Sequence, residues 1–360
     1  MAAQKNFRLL CLENPLLDII ADGDQAVLDT YKIKANDAIL AEPQHLSIYD
    51  DFLNNRNAVL SAGGAAQNTA RGAQYILPPD SVVFLGGIGK DKYGAILSET
   101  AAKAGLRVEY RIDEEVPTGR VAVVVTPGNR SMVTDLGAAN HYDLEHLQSP
   151  AIWPLVEGAE VYYIGGYHLT VCPPAIMALA KEAAAKDKVF VLSISAPFIP
   201  LAFKDALDAT LPYLDYVVGN EGEAAAFGNV HGISNIDLSN VDGSATTADL
   251  KKIAQYMANL PKENTKRKRV AIITHGSEPT LVAIQGEEEV KEYPVRAIAP
   301  ESIVDTLGAG DAFAAGLVAG ILDGKSLDFS IDQGQWLASL SLTQLGASYP
   351  YPKQSFSPSA

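Results

Sequence analysis

Short runs of consecutive apolar residues recur along the chain: Leu9 to Leu12, Val82 to Leu85, Val121 to Val125, Val161 to Ile164, Val189 to Ile194, Tyr216 to Val218 and Val270 to Thr274. Between several of them, Ala65 to Ile76, Ala95 to Ala104, Ala175 to Ala185 and Leu250 to Leu260 carry helical spacing. Strands alternating with helices predict a parallel α/β sheet. In such sheets ligands collect at the carboxyl ends of strands. Glycine and asparagine cluster at just those places: Glu13-Asn14-Pro15, Gly86-Gly87, Gly165-Gly166, Gly219-Asn220 and His275-Gly276.

Two stretches fit the alternation poorly. Residues 17–64 are polar and mixed without a clean helical crossover, and Thr118 to Leu136 read as a hairpin turning at Pro127-Gly128-Asn129. Together they predict a small α/β lid domain, formed by 17–64 and 117–136, over a large α/β domain of 1–16, 65–116 and 137–360. Residues 231–249, rich in Asn, Ser, Asp and Thr, read as a surface insertion.

Composition narrows the class. Among 360 residues, 43 acids against 28 bases give a formal charge of -15, which disfavours nucleic acid and anionic membrane as partners. An anionic ligand then needs a local positive pocket. Two cysteines, Cys11 and Cys172, give no disulfide framework, and no apolar run approaches the roughly 18 residues that span a bilayer. The expectation is an intracellular protein, cytoplasmic and acting as a monomer. The basic run Lys266-Arg267-Lys268-Arg269 reads as a solvated loop, with a nuclear-import signal as the alternative.

Candidate chemistry concentrates in IVDTLGAGDAFAAG, residues 303–316. A Walker loop fails at Gly324-Lys325-Ser326 because Ala319 stands where the first glycine is needed, and GxGxxG fails because Lys92 takes its third position. Cys/His metal spacing is absent. In the surviving segment, Gly308, Ala309 and Gly310 permit close approach of backbone N–H groups to a phosphate, while Asp311 can accept a proton from an attacking hydroxyl. An aspartate capping the helix fits the local sequence equally well.

Other clusters gain meaning beside it. Asn14 and Asp18, with leucines between, suit hydroxyls beside an apolar surface such as a ribose and its base; turn chemistry is the alternative. Asn68 falls in the first turn after Gly63-Gly64, its side chain free to reach a hydroxyl; helix packing of small residues is the alternative. Asn220 and Glu223 share one face of a helix start, a spacing that suits hydrated Mg²⁺ with triphosphate or a plain acidic helix start. Arg130, at the hairpin turn, can close over a transferring phosphate or simply be solvated.

The segments ENPLLDI (13–19), NDAILAE (36–42), GGAAQNTAR (63–71), PTGRVAV (117–123), NRSMVTDLGAAN (129–140), LTV (169–171), SAPFI (195–199), GNEGEA (219–224) and DTLGAGDAF (305–313) stand in one order. That order resembles the ribokinase-like superfamily of carbohydrate and nucleoside kinases, and within it the adenosine kinases. The resemblance implies a doubly wound, mostly parallel sheet flanked by helices, with a lid. It also implies Mg²⁺-dependent transfer of the ATP γ-phosphate to the 5′-hydroxyl of adenosine.

By residue, the resemblance makes Asp311 the base and Gly308, Ala309 and Gly310 the anion hole, with Arg130 on the transferring phosphate. Asp18, Gly63, Gly64 and Asn68 would hold the ribose, Asn14 the nucleoside nearby, and Leu16, Leu40 and Leu136 the adenine. Asn220 and Glu223 would order Mg-ATP, and Thr274 and Gly276 would line the nucleotide site. His168 stands where a ring would stack near the base, and with Leu307, Ala38 and Ser193 it departs from the animal pattern. Another nucleoside or sugar kinase of the superfamily, or a non-catalytic nucleoside-binding regulator, are the alternatives.

Overall fold

The computed structural model describes residues 7–35, 38–126 and 129–359, without the side chain of Asp242. Its strands are β1 (Leu9–Leu12), β2 (Leu16–Asp22), β3 (Ala38–Leu40), β4 (Val59–Gly63), β5 (Val82–Gly89), β6 (Arg107–Asp113), β7 (Thr118–Thr126), β8 (Asn129–Gly137), β9 (Val161–Gly165), β10 (Val189–Ser193), β11 (Tyr216–Asn220), β12 (Val270–His275), β13 (Glu278–Ile284) and β14 (Lys291–Tyr293). They form a nine-stranded sheet ordered β14-β13-β12-β11-β10-β9-β1-β5-β6 and a five-stranded sheet ordered β3-β8-β7-β2-β4.

From β6 to β12 the large sheet is parallel, and β13 and β14 add an antiparallel edge. Its central strands are buried along their whole length because helices cover both faces. Leu10 and Leu12 join one core with Ile164 and Leu192, while Leu9 and Cys11 join the other with the helix Ala309–Leu322. The chain winds outward from β1 to β5 and β6, then returns to the other flank of β1 and winds through β9, β10, β11 and β12. The crevice lies where that winding reverses, at the carboxyl ends of β1 and β9.

The small sheet explains why residues 17–64 resist reading by period. In β2, Leu17, Ile19 and Ala21 point to a core shared with the helices Gln25–Tyr31 and Ser47–Asn55, while Leu16 and Ile20 belong to a second apolar cluster. Both faces are covered, so strict alternation is lost. Asp18 shares the second face with Leu16 and Ile20. On β7 and β8 the same face carries Val121, Val123, Met132 and Leu136, and Leu307 of the large unit packs against it. β7 and β8 pair antiparallel up to Thr126 and Asn129; the predicted turn residues Pro127 and Gly128 lie outside the described residues.

The basic run is a loop solvated only in part, with Lys266 and Lys268 exposed. Arg269 is fully buried and donates to the carbonyls of Leu211, Leu214, Met257, Leu260 and Pro261. Arg267 pairs with Asp187 and Asp215, and Lys268 with Glu287. A folded chain therefore offers no free basic tetrad to an import receptor. Among the described residues, no helix is long and apolar enough to cross a membrane.

Candidate active site

One cleft runs between the small sheet and the carboxyl ends of the large one. Leu16, Asp18, Leu40, Val121, Met132 and Leu136 of the small sheet face Asn14, Tyr167, Ser195, Phe198, Asn220, Glu223, Thr274 and the loop from Thr306 to Asp311. The small-sheet wall is apolar apart from Asp18, and the opposite wall mixes polar side chains with the rings of Tyr167 and Phe198, the composition of a site that orients an organic ligand.

At the cleft floor the helix Ala309–Leu322 begins. Its N-cap, Gly308, adopts φ 78°, ψ 6°, a left-handed conformation that favours glycine, and supplies no side-chain cap. A Cβ there would also lie 2.5 Å from the Cβ of Ala347. Among the described residues, the backbone N–H groups of Gly310 and Asp311 find no acceptor, so they face the cleft at the positive end of the helix dipole.

Asp311 sits in that first turn, half-buried. Asn68 Nδ2 donates to its Oδ2 at 2.9 Å, and Arg71 in turn donates to Asn68 Oδ1 at 2.6 Å. Arg71 is itself fixed by the carbonyls of Ala62 and Ala347. Burial pushes the Asp311 carboxyl up to about 6, against the hydrogen bond from Asn68 and the charge of Arg71. Such a group is ionised at neutral pH yet basic enough to take a proton from a hydroxyl, beside N–H groups able to hold developing negative charge.

The neighbouring carboxyls are also raised. Burial takes Asp18 to about 7, with Arg71 opposing and Asp311 adding to the rise. Gly63, across the strand pair, is what admits it: a Cβ at Gly63 would lie 2.3 Å from either Asp18 oxygen. Burial takes Glu223 to about 7, its hydrogen bond from the Asn220 backbone opposing. These carboxyls cluster with little compensating positive charge, an arrangement suited to hydroxyl-bearing or cation-accompanied ligands.

Asn220 and Glu223 form a reciprocal capping box at the helix Glu221–Val230. Asn220 Oδ1 accepts from the Glu223 backbone at 2.9 Å, and the Glu223 carboxyl accepts from the Asn220 backbone at 3.1 Å and side chain at 2.9 Å. Asn220 is thus engaged in aiming Glu223. No group of three or more His, Cys, Asp or Glu side chains among the described residues could hold a metal ion alone. One aimed carboxyl fits a hydrated Mg²⁺ that keeps its waters and takes its remaining ligands from phosphate.

A family model described as pfkB family carbohydrate kinase matches residues 26–354. The adenosine kinase of Saccharomyces cerevisiae is 45% identical over 353 residues, spanning 97% of this chain and 98% of the relative. That of Schizosaccharomyces pombe is 42% identical over 353 residues, 98% of each chain. This chain belongs to the adenosine kinase family. Its fold agrees: a crystal structure of Anopheles gambiae adenosine kinase, in complex with P1,P4-di(adenosine-5) tetraphosphate, matches with a TM-score of 0.90 at 39% identity, over 96% of this chain and 99% of that one.

Most residues singled out by likeness to adenosine kinases border the one cleft: Asn14, Leu16, Asp18, Leu40, Gly64, Asn68, Leu136, Asn220, Glu223, Thr274 and 308–311. Four do not. His168 is fully buried behind Asn14, its Nδ1 3.0 Å from Asn14 Oδ1 and its ring edge-on to Tyr142. Burial depresses it to about 3, so it stays neutral and orients Asn14, while Tyr167, one residue earlier, faces the cleft. Gly63 makes room for Asp18 instead of lining the space. Gly276 lies in an exposed turn between β12 and β13 with open space around it.

The fourth, Arg130, borders an adjoining cavity with Asp22, Thr126 and Thr306, where its guanidinium meets the fully buried Asp305 carboxyl at 2.9 Å. Asp305 also accepts from Leu307 N and Gly346 N, so this bridge ties β8 to the loop that precedes Gly308. Sequence reasoning missed Glu13, Arg71, Tyr167, Ser195 and Phe198. Arg71 carried a readable signal, since it falls three residues after Asn68 on the same helix face.

Proposed function

We propose that this chain transfers the γ-phosphoryl group of ATP to the 5′-hydroxyl of adenosine, yielding ADP and AMP, a purine-salvage reaction. The observation that carries the reading is Asp311, held by Asn68 in the first turn of a helix whose N–H groups stand free beside it. The 5′-oxygen attacks the γ-phosphorus and its proton passes to Asp311. The bond from that phosphorus to the β,γ-bridging oxygen breaks, and ADP leaves with the electron pair. The N–H groups of Gly310 and Asp311 receive the charge that develops on the transferring group.

Asp18 and Asn68 take the ribose hydroxyls, and Leu16, Leu40 and Leu136 pack on the adenine, with Tyr167 and Phe198 opposite. Thr274 and Glu223 lie on the ATP side. Magnesium, when bound with ATP, would neutralise phosphate charge, its waters ordered by Glu223 and the Asn220 that aims it. Arg130 contributes positive charge once the small sheet closes over the cleft as a lid and Asp305 releases it. The reading includes a cytoplasmic monomer, which light scattering coupled to size exclusion checks.

The test is a substrate panel of adenosine, guanosine, inosine, ribose and fructose 6-phosphate with ATP and magnesium. Adenosine should be preferred, with AMP and ADP formed in equal amounts. Preference for a bare sugar, or no ADP formed with any nucleoside, would overturn the reading.

A further inference from the structure

Glu13 stands at the carboxyl end of β1, where the winding of the sheet reverses, and borders the cleft beside Asn14 while only 1% exposed. No step of the transfer above uses it. A buried carboxyl is costly to keep, so its contacts should account for its presence.

Those contacts lead to Asp311. The helix Ala65–Ile76 starts at Gly64, which has no side chain to accept from the first N–H groups. The missing acceptor comes from fifty-odd residues earlier: Glu13 Oε2 takes the Ala66 N–H at 2.7 Å. Two residues further along that helix, Asn68 donates to Asp311 at 2.9 Å, and Thr69 Oγ1 donates to the Asp311 carbonyl at 3.2 Å. The neighbouring strand end is shaped around the same carboxyl, since a Cβ on Gly165 would lie 1.7 Å from Glu13 Oε1. Gly165 itself has φ -79°, ψ 133°, which any residue adopts, so only space demands glycine there.

We propose that Glu13 is a positioning residue for phosphoryl transfer: its carboxyl anchors the start of the Ala65–Ile76 helix and so sets the reach of Asn68 to Asp311. The assignment deepens the kinase reading and rests on it. Glu13 acts as a neutral acid. Burial raises its carboxyl to about 8, the charge of Asp311 adds to the rise, and the Ala66 and Tyr167 N–H groups oppose it. The other titratable groups facing it, Cys11 on its own strand and Tyr163 and Tyr167 on and after β9, are themselves raised by burial and neutral at pH 7. A glutamine should therefore replace it well, its amide oxygen accepting from Ala66.

The experiment compares wild type, Glu13→Gln, Glu13→Ala, Gly165→Ala and the Glu13→Ala/Gly165→Ala double variant. It reads kcat against pH, adenosine Kd by calorimetry, and the melting temperature of each. Glu13→Gln should keep kcat within about threefold, whereas Glu13→Ala and Gly165→Ala should each lose about 10- to 100-fold in kcat with a small change in Kd, the cost of a misaimed reacting group. In both, the acid limb of kcat should move up by about one pH unit as the Asn68 hydrogen bond to Asp311 slackens. The double variant should be no worse than Glu13→Ala, because the added methyl then meets no carboxyl.

A wild-type kcat and acid limb in Glu13→Ala would overturn the proposal. So would a Glu13→Gln as poor as Glu13→Ala, or losses confined to melting temperature. Should Glu13→Ala not fold, Gly165→Ala carries the test, and its matching wild type would overturn the proposal equally. Failure of the wild type to phosphorylate adenosine would instead refute the kinase reading and is seen before any variant is made.

Discussion

Replacing Asn68 by alanine tests the electrostatics of the reacting carboxyl. The substitution removes the 2.9 Å hydrogen bond from Asn68 Nδ2 to Asp311 Oδ2. A hydrogen bond to a charged group is worth about 1.5–3 kcal/mol, which at about 1.4 kcal/mol per pH unit raises the acceptor by about 1–2 units. Asp311 would move from about 6 to about 7–8. Arg71 loses one partner but stays tied to the carbonyls of Ala62 and Ala347, so it does not slide in to replace the amide.

At pH 6 the ionised fraction of Asp311 would then fall from about one half to between about a tenth and a hundredth. The readout is kcat/KM for adenosine against pH, which reports the free enzyme. The account predicts an acid limb displaced upward by about 1–2 units on top of a pH-independent loss from the missing ribose contact, so that the deficit against wild type is about 5- to 50-fold larger at pH 6 than above pH 9. Ionisation of Asp18 near 7 appears in both profiles, so only the displacement is read. An acid limb that stays where the wild type has it, whatever the uniform loss, would refute the reasoning.

Three further outcomes follow from the same geometry. Asp18 is raised in the folded state from 3.8 to about 7, so the stability it contributes is full below about pH 4 and is lost as pH rises through about 7. Ligand-free Asp18→Asn should therefore melt a few degrees above wild type at pH 8 but not at pH 4, in scanning calorimetry, while binding adenosine at least about tenfold more weakly. Glu223→Gln should raise the magnesium concentration needed for half-maximal rate by about tenfold, with adenosine Kd unchanged, because it removes the one aimed carboxylate on the ATP side. Gly308→Ala forces a side chain into a left-handed position and into Ala347; urea denaturation should show a loss of about 1–3 kcal/mol, and turnover should fall with it.

How legible all this was in the sequence depends on what each signal measures. β1 and β9 were readable because unbroken apolar runs lead into glycine and asparagine, as the sheet's covered faces require, and the Ala65–Ile76 helix because a helical spacing follows Gly63-Gly64. The small sheet was not, because β2 is buried on both sides yet carries Asp18 at its centre, and β4 exposes Val59 and Leu60 at an edge. Burial was the other blind spot. The run GGYHLT offers two rings, and only packing decides that Tyr167 faces the cleft while His168 turns inward to Asn14. Glu13 read as part of a turn, since the Ala66 N–H it serves comes from a segment about fifty positions away. Leu307, unexplained by the signature loop, is an apolar contact between that loop and the cleft face of the small sheet.

The most direct test of the central claim is Asp311→Asn, assayed by transfer of labelled γ-phosphate from ATP to adenosine and, on the same preparation, by calorimetric adenosine binding. Loss of a positioned proton acceptor costs about 10²–10⁴ in rate, so turnover should fall by that factor at pH 7 and above, where Asp311 of the wild type is ionised, while adenosine still binds. Near-normal turnover by the folded variant would contradict the assignment of Asp311 and, with it, the mechanism built on the free N–H groups beside it.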